Sequence, residues 1–317
     1  MEHVQKILNE WCRASGAKFN QEKTKIIPFG SEDYRTQVIV TRKLNLQDQT
    51  PLDDRIRIAK DGDAVRSLGA WIGNKTDLKT PWEPVIDNVR HALKRWGKSN
   101  PTMQGRKLIA QAVIGGHTQF LAKAQGMPPE IENILTKIAR EFMWEGYTLS
   151  KIALENLHRP IEEGGLSLID IKTQNDAIEL TWLKAYLDFS PTRPTWAKIT
   201  NLIIDATMPQ GPNTQTRINC FLQTWNPPQK GNRAAKLDDD TIRMLKAAQK
   251  YNVNLAAIRL NTHLKTQLPA WYHIGSEPRL IRNNAARCLI TKHHTITIAD
   301  LVQVSARLRN TENENPH

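Results

Sequence analysis

Apolar positions recur at helical spacing over most of this 317-residue chain. Val4, Ile7, Leu8 and Trp11 predict an amphipathic helix over residues 2–15, and Gly16 ends it where a left-handed residue is needed. Three short apolar runs then predict strands: Lys25 to Phe29, Gln37 to Thr41, and Ser67 to Ile72 closed by Gly73. Residues 42–63 are polar and read as an irregular loop. From Pro81 the period becomes helical. Val85, Val89, Leu93 and Trp96 form one apolar face, with Arg90 and Lys94 standing off it. Thr102 to Gly115 predicts a second helix. Ile131, Ile134, Leu135, Ile138 and Phe142 predict a third, opened by Pro128-Pro129 where proline suits a helix start. Gly164-Gly165 predicts a sharp turn before Leu166-Ser167-Leu168, and Asn175 to Leu187, apolar nearly all round, predicts a buried helix.

Residues 188–236 are rich in Pro, Asn, Thr and Gln, with Pro191, Pro194, Pro209, Pro212, Pro227 and Pro228, and read as a linker. Beyond it, Asp240 to Lys250 and Arg279 to Ile290 predict helices. A last helix carries Ile298, Leu301, Val302, Ser305 and Leu308 and begins with Thr297 and Asp300 at capping-box spacing. The polar tail from Asn310 is expected to fray. The fold class that follows is mainly α with a small α+β N-terminal part, in segments 1–78, 79–190, 191–236 and 237–317.

Composition narrows the class. A hydrophobic content of 39% with 24% charged residues suits a folded rather than a disordered chain. No window reaches the roughly 18 apolar residues of a membrane span, so no membrane partner is expected. Met1-Glu2-His3-Val4 has neither a basic start nor an apolar core, so no signal peptide is expected and the localisation read from it is intracellular, cytoplasmic or nuclear. Three dispersed cysteines, Cys12, Cys220 and Cys288, cannot make a disulfide framework and fit a reducing compartment.

A net charge of +12 favours an anionic partner, because neutralising phosphates releases counterions. The excess is concentrated. Lys79, Arg90, Lys94, Arg95, Lys98, Arg106, Lys107 and Lys123 stand between residues 79 and 125 against two acids, Glu83 and Asp87. On helices with an apolar face, such residues can hold phosphates without reading bases. Arg90, Lys94, Arg106 and Lys107 fit that role best.

Other chemistry is sparse. Asp53-Asp54 lies in a polar loop, and Asp238-Asp239-Asp240 stands where acids cap a helix N-terminus, so capping and solvation are expected of both rather than metal binding. Cys288, His293 and His294 lack the second close cysteine pair of a structural zinc site, and Cys288 reads as a small core residue. There is no Gly-rich phosphate loop, nucleophile elbow or His-Glu-x-x-His. Trp71, Trp82, Trp96, Trp144 and Trp182 fall in apolar stripes and are expected to pack in the core.

Seven segments, in order, carry a resemblance: the helix Val4 to Ser15; Lys18-Phe19-Asn20-Gln21-Glu22-Lys23-Thr24-Lys25; Leu68-Gly69-Ala70-Trp71-Ile72-Gly73; Trp96 with Gly105-Arg106-Lys107-Leu108-Ile109; Met127-Pro128-Pro129; Phe142-Met143-Trp144-Glu145-Gly146; and Gly164-Gly165-Leu166-Ser167-Leu168-Ile169-Asp170-Ile171. Residues 1 to about 190 thereby resemble the reverse transcriptase of non-LTR (LINE-like) retrotransposons, beginning just downstream of its catalytic Asp-Asp hairpin. Residues 240–309, including Met244-Leu245-Lys246 and Leu268-Pro269-Ala270-Trp271-Tyr272-His273-Ile274, resemble the connector that fungal elements of this type place before a ribonuclease H domain.

The resemblance implies a palm remnant over 1–78, a helical thumb over 79–190 and a connector over 237–317. It places Lys23 on a palm loop near the incoming nucleotide and Leu68 to Ile72 in the primer grip. The thumb would hold an RNA/DNA template–primer duplex. The intact family uses Mg²⁺; with no aspartate pair at the matching place, no cofactor and no polymerisation are expected of this chain alone. Two other readings stand beside this one. The chain could be a relic or folded interaction module with no nucleic-acid role, or a subunit completing a separate upstream palm-and-fingers fragment.

Overall fold

The computed structural model describes residues 2–18, 20, 23–47, 51–144, 152–207, 221, 237–253, 260–271 and 284–314. Outside them lie Phe19, Gln21 and Glu22, Glu145-Gly146, Pro209, Pro212, Pro227 and Pro228, Cys220, Tyr272 to Ile274 and residues 279–283. The described residues are mostly helical, with two small two-stranded sheets. The chain divides into two compact units, Met1–Ile171 and Lys172–His317.

The first unit opens with α1 (Glu2–Ser15), closed by the Gly16 N–H donating to the Cys12 carbonyl at 3.0 Å. Strand β1 (Lys25–Ile26) pairs in parallel with β2 (Arg57–Ile58), and between them runs α2 (Glu32–Thr41). The apolar run from Gln37 to Thr41 is therefore helix, not strand. Ser31 accepts from the Tyr34 N–H, Glu32 and Asp33 suit the positive helix start, and only Val38 of the β-branched trio is fully buried. These capping signals outweigh the β preference of Val38-Ile39-Val40. Tertiary ties reinforce α2. Arg35 grips Asp61 through two hydrogen bonds, at 2.8 and 2.7 Å, and Lys75 bridges Asp61 and Glu32. The Arg35 guanidinium, first among these, holds the Asp61 carboxyl down to about 2.

The expected strand from Ser67 to Ile72 is a hairpin. β3 (Val65–Ser67) and β4 (Ala70–Ile72) pair with Ser67 opposite Ala70, and Leu68-Gly69 makes the turn with φ of 49° and 93°. Two positive φ values are what a two-residue hairpin turn requires, and asparagine or glycine supplies the first with least strain. Leu68 is 97% exposed there, so its side chain gains no burial to offset the strain. Leu68→Asn is expected to stabilise the unit by about 1 kcal/mol. A urea midpoint that stays put or falls would count against this account.

The helical part begins where Asp77 accepts from the Lys79 and Thr80 N–H groups and the Thr80 hydroxyl; the Lys79 backbone bond leads in lowering its carboxyl. A 3₁₀ turn (Thr80–Trp82) leads into α3 (Glu83–Gly97). Thr102 caps α4 (Met103–Ala110), which continues through a π turn (Gln111–Gly115) into α5 (Gly116–Gln125). The second helix thus runs ten residues past its expected end at Gly115. Each glycine costs about 1 kcal/mol there relative to alanine, but burial of Val113, Ile114, Leu121 and Ala122 outweighs it. α6 (Pro129–Met143) opens on the expected prolines. Trp82, Ile86, Val89, Leu93, Ile114, Leu135 and Met143 are among the buried side chains of these helices.

α7 (Leu154–His158) leads to the expected Gly164-Gly165 turn, where Gly164 is left-handed (φ 80°). Behind it the Ser167 N–H donates to the Arg159 carbonyl at 2.8 Å and the Leu168 N–H to that of Leu157 at 2.9 Å.

In the second unit, α8 (Ile171–Tyr186), α9 (Thr195–Asp205) and α10 (Asp239–Lys250) share a core of Leu183, Tyr186, Ala197, Ile204, Met244, Leu245 and Ala248. Residues 195–205 correct the linker reading: they form a helix with two core positions. Asp238 caps α10 through the Thr241 N–H at 2.8 Å, as expected of that acidic run. Glu179 and Arg243 pair at 3.1 Å between α8 and α10, where burial pushes the Glu179 carboxyl up and Arg243 opposes it. α11 (Thr262–Gln267), α12 (Asn284–Lys292) and α13 (Ile298–Glu314) follow. Thr297 and Asp300 form the expected capping box: the Asp300 carboxylate accepts from the Thr297 N–H at 2.8 Å and the Thr297 hydroxyl from the Asp300 N–H at 3.3 Å. The helix runs past Asn310, where fraying was expected.

Candidate functional site

The eight cations between residues 79 and 125 separate into distinct groups. Lys79 pairs with Glu130 at 3.2 Å. Arg106 and Lys107 are buried, 5% and 8% exposed. Neither stands on an exposed face, which corrects their expected place beside Arg90 and Lys94. The reason is their position on the helix. Arg106 and Lys107 precede Ala110, Val113 and Ile114 at the spacing of one stripe, and that stripe faces the core. Arg106 answers its burial with hydrogen bonds: Nε donates to the Pro101 carbonyl at 3.0 Å and Nη1 to that of Phe142 at 2.8 Å, with the guanidinium 5.6 Å from the Phe142 ring centroid. It therefore ties the start of α4 to the end of α6, satisfying a carbonyl that α6 leaves open.

Five remain, all exposed: Lys123 in the last turn of α5, and Arg90, Lys94, Arg95 and Lys98 at or just beyond α3. Ile86, Val89 and Leu93 fill its opposite, buried face. Arg90, Lys94 and Lys98 follow one another at four-residue steps and so form a row about 12 Å long at 1.5 Å rise per residue. The four-residue step from Arg90 through Lys94 marks Lys98 in the sequence; Arg95 falls outside that step. Asp87 approaches Arg90 at 3.9 Å, and an exposed pair of this kind contributes at most about 1 kcal/mol.

Magnitudes separate two causes for this row. Lys94 and Arg95 lie in the last turn of α3, where each cation gains about 0.3–1 kcal/mol from the helix dipole. Arg90 sits too far up the helix for that. Like charges four residues apart also cost a few tenths of a kcal/mol per pair. The dipole gain at Lys94 and Arg95 is at least as large as these costs, and Arg90 has Asp87 beside it, so folding does not oppose the row.

Lys23 is exposed on the loop between α1 and β1, and its N–H donates to the Asn20 side chain at 3.1 Å. Asp53 accepts from Arg55, which holds its carboxyl down to about 2, and Asp54 approaches Arg42 at 3.3 Å. Among the described residues no three His, Cys, Asp or Glu side chains gather as a metal site. Cys288 is half-buried on α12, with His293 and His294 exposed beyond it. Trp82 is fully buried, as expected of the tryptophans, but Trp96 is 49% exposed in the last turn of α3 and departs from that expectation.

No protein-family model matches the chain, and no curated protein matches it significantly.

Proposed function

We propose that this chain is a part of a LINE-like reverse transcriptase that holds a template–primer duplex by its phosphates and does not itself polymerise. The row Arg90, Lys94 and Lys98 on the exposed face of α3, flanked by Arg95, is the observation that carries the reading. A duplex of changing sequence must be held through its backbone, and a row of cations on a helix buried along its other face is suited to that. The motif order from Lys18 to Ile171 supports the assignment to this family and, with it, a thumb role for α3 to α6. Lys23 is proposed as the palm-loop residue near the nucleotide.

Reversing Arg90, Lys94 and Lys98 together to glutamate is expected to weaken binding to an RNA–DNA duplex roughly ten- to hundredfold near physiological salt. The slope of log affinity against log salt should fall by about 0.9 for each phosphate contact removed. Fluorescence anisotropy across a salt series measures both. Wild-type affinity indifferent to salt, or a triple variant that binds like wild type, would instead support the interaction-module reading.

A further inference from the structure

We infer that His91 is a proton-dependent member of the cation face on α3, so that this face gains one further phosphate contact as the solution becomes mildly acidic. The inference rests on the duplex-holding reading above and adds a control to it. Counting round the helix from Arg90 at about 100° per residue, Lys94 stands at about 40°, Lys98 at about 80°, His91 at about 100° and Arg95 at about 140°. His91 therefore lies inside the arc of cations, and it is exposed as they are. Imidazole is the side chain whose charge ordinarily changes within the physiological range, so the charge of this face follows the pH.

One hydrogen bond decides which ring nitrogen carries the change. Nδ1 of His91 lies 2.8 Å from the Asp87 carbonyl, one turn back on α3. A carbonyl oxygen only accepts, so Nδ1 is the donor and keeps its hydrogen in both the neutral and the charged ring. The position that gains the proton is then Nε2. In the neutral ring Nε2 presents a lone pair, which repels a phosphate oxygen. In the charged ring it presents an N–H, which donates to one. The bond to Asp87 also fixes the ring against α3, so little freedom is lost when a phosphate arrives.

On α3 itself the charged neighbours of His91 are Asp87, Arg90, Lys94 and Arg95. The 3₁₀ turn, α4, the π turn, α5 and α6 pack against α3. Arg106 and Lys107 of α4 are turned inside, Glu130 of α6 pairs with Lys79, and Glu141 of α6 with Lys137. Among the described residues neither these nor Lys123, Glu132 and Arg140 makes an ion pair with His91. No acid of a neighbouring helix therefore claims its charged form, and the anion left to complete it is a bound phosphate. Proton uptake and phosphate binding then reinforce one another.

Anisotropy titrations of the full chain against an RNA–DNA duplex at pH 6 and pH 8, each across a salt series, test this. Wild type is expected to bind about three- to tenfold more tightly at pH 6, with a salt slope steeper by about 0.9 than at pH 8. His91→Gln should bind at both pH values as wild type does at pH 8. His91→Lys, charged throughout, should bind at both as wild type does at pH 6. If wild type binds equally at the two values, or His91→Gln keeps the full pH dependence, this inference is overturned and the duplex-holding reading survives. If wild type binds the duplex at neither pH, both fall.

Discussion

Arg106→Ala is expected to destabilise the Met1–Ile171 unit by about 3 kcal/mol, a fall in melting temperature of roughly 6–12 °C for a unit of this size. The side chain is 5% exposed and donates from a charged group to the Pro101 and Phe142 carbonyls, each bond contributing about 1.5–3 kcal/mol at best. Alanine would leave the Pro101 and Phe142 carbonyls without those donors and open a space beneath the Phe142 ring. Arg106→Lys should recover only part, because an ammonium cannot reproduce the fork that reaches both carbonyls. Arg106→Met separates packing from hydrogen bonding, since it keeps the stem and loses the donors. Thermal unfolding followed by circular dichroism ranks the variants. Duplex affinity of the folded protein should not change; a variant that melts like wild type yet binds tenfold more weakly would return Arg106 to the surface role its sequence context suggested.

The second large effect is at Gly165. A Cβ there would lie 2.1 Å from the Arg159 carbonyl oxygen and 2.5 Å from its carbon. Main-chain atoms cannot swing aside as a side-chain tip can. That same oxygen accepts from the Ser167 N–H, and the Gly165 N–H donates to Pro160, so moving it pulls on the turn that seats Leu157 and Leu168 in the core. Gly165→Ala should cost about 3 kcal/mol, at the upper end for inserting a methyl group. Gly164→Ala is the control one residue away. Its Cβ meets open space, and only the left-handed φ opposes it, for about 1–2 kcal/mol. Urea midpoints that fall equally for both would show that the Arg159 contact is not what confines position 165.

The sequence was readable wherever one local rule acted alone. Amphipathic stripes gave α3 and α6, and α10 and α13 began at their acidic caps. It misled where two rules competed. Val38-Ile39-Val40 carries β preference, but Ser31, Glu32 and Asp33 start a helix seven residues earlier. In the linker, prolines masked Trp196, Ile199, Ile203 and Ile204, whose helical spacing marks α9. At the candidate site, charge and periodicity point in opposite directions. Arg106 and Lys107 lie on the stripe of Ala110, Val113 and Ile114, and their periodicity, weighed above their charge, would have placed them inside. Trp96 was the opposite case: its stripe pointed to the core, but the helix ends before the core closes over it, and a one-dimensional pattern carries no record of where a neighbour stops.

The π turn at Gln111–Gly115 has a consequence for the β-hairpin far away in sequence. A wider turn holds an extra residue without lengthening the helix, and so shifts the phase of everything after it by about 100°. Gln125, ten residues on, accepts from the Trp71 N–H at 2.9 Å, and Phe120 lies over Gly69. Both contacts come from the helix segment beyond the shift. The single surplus residue therefore works as an angular offset between two surfaces of one rod: α4 is phased to lock Arg106 into the helical core, and α5 is phased independently to seat the hairpin. Insertions and deletions near residue 113 would thus be felt as rotation, at the hairpin, before they were felt as a change in length.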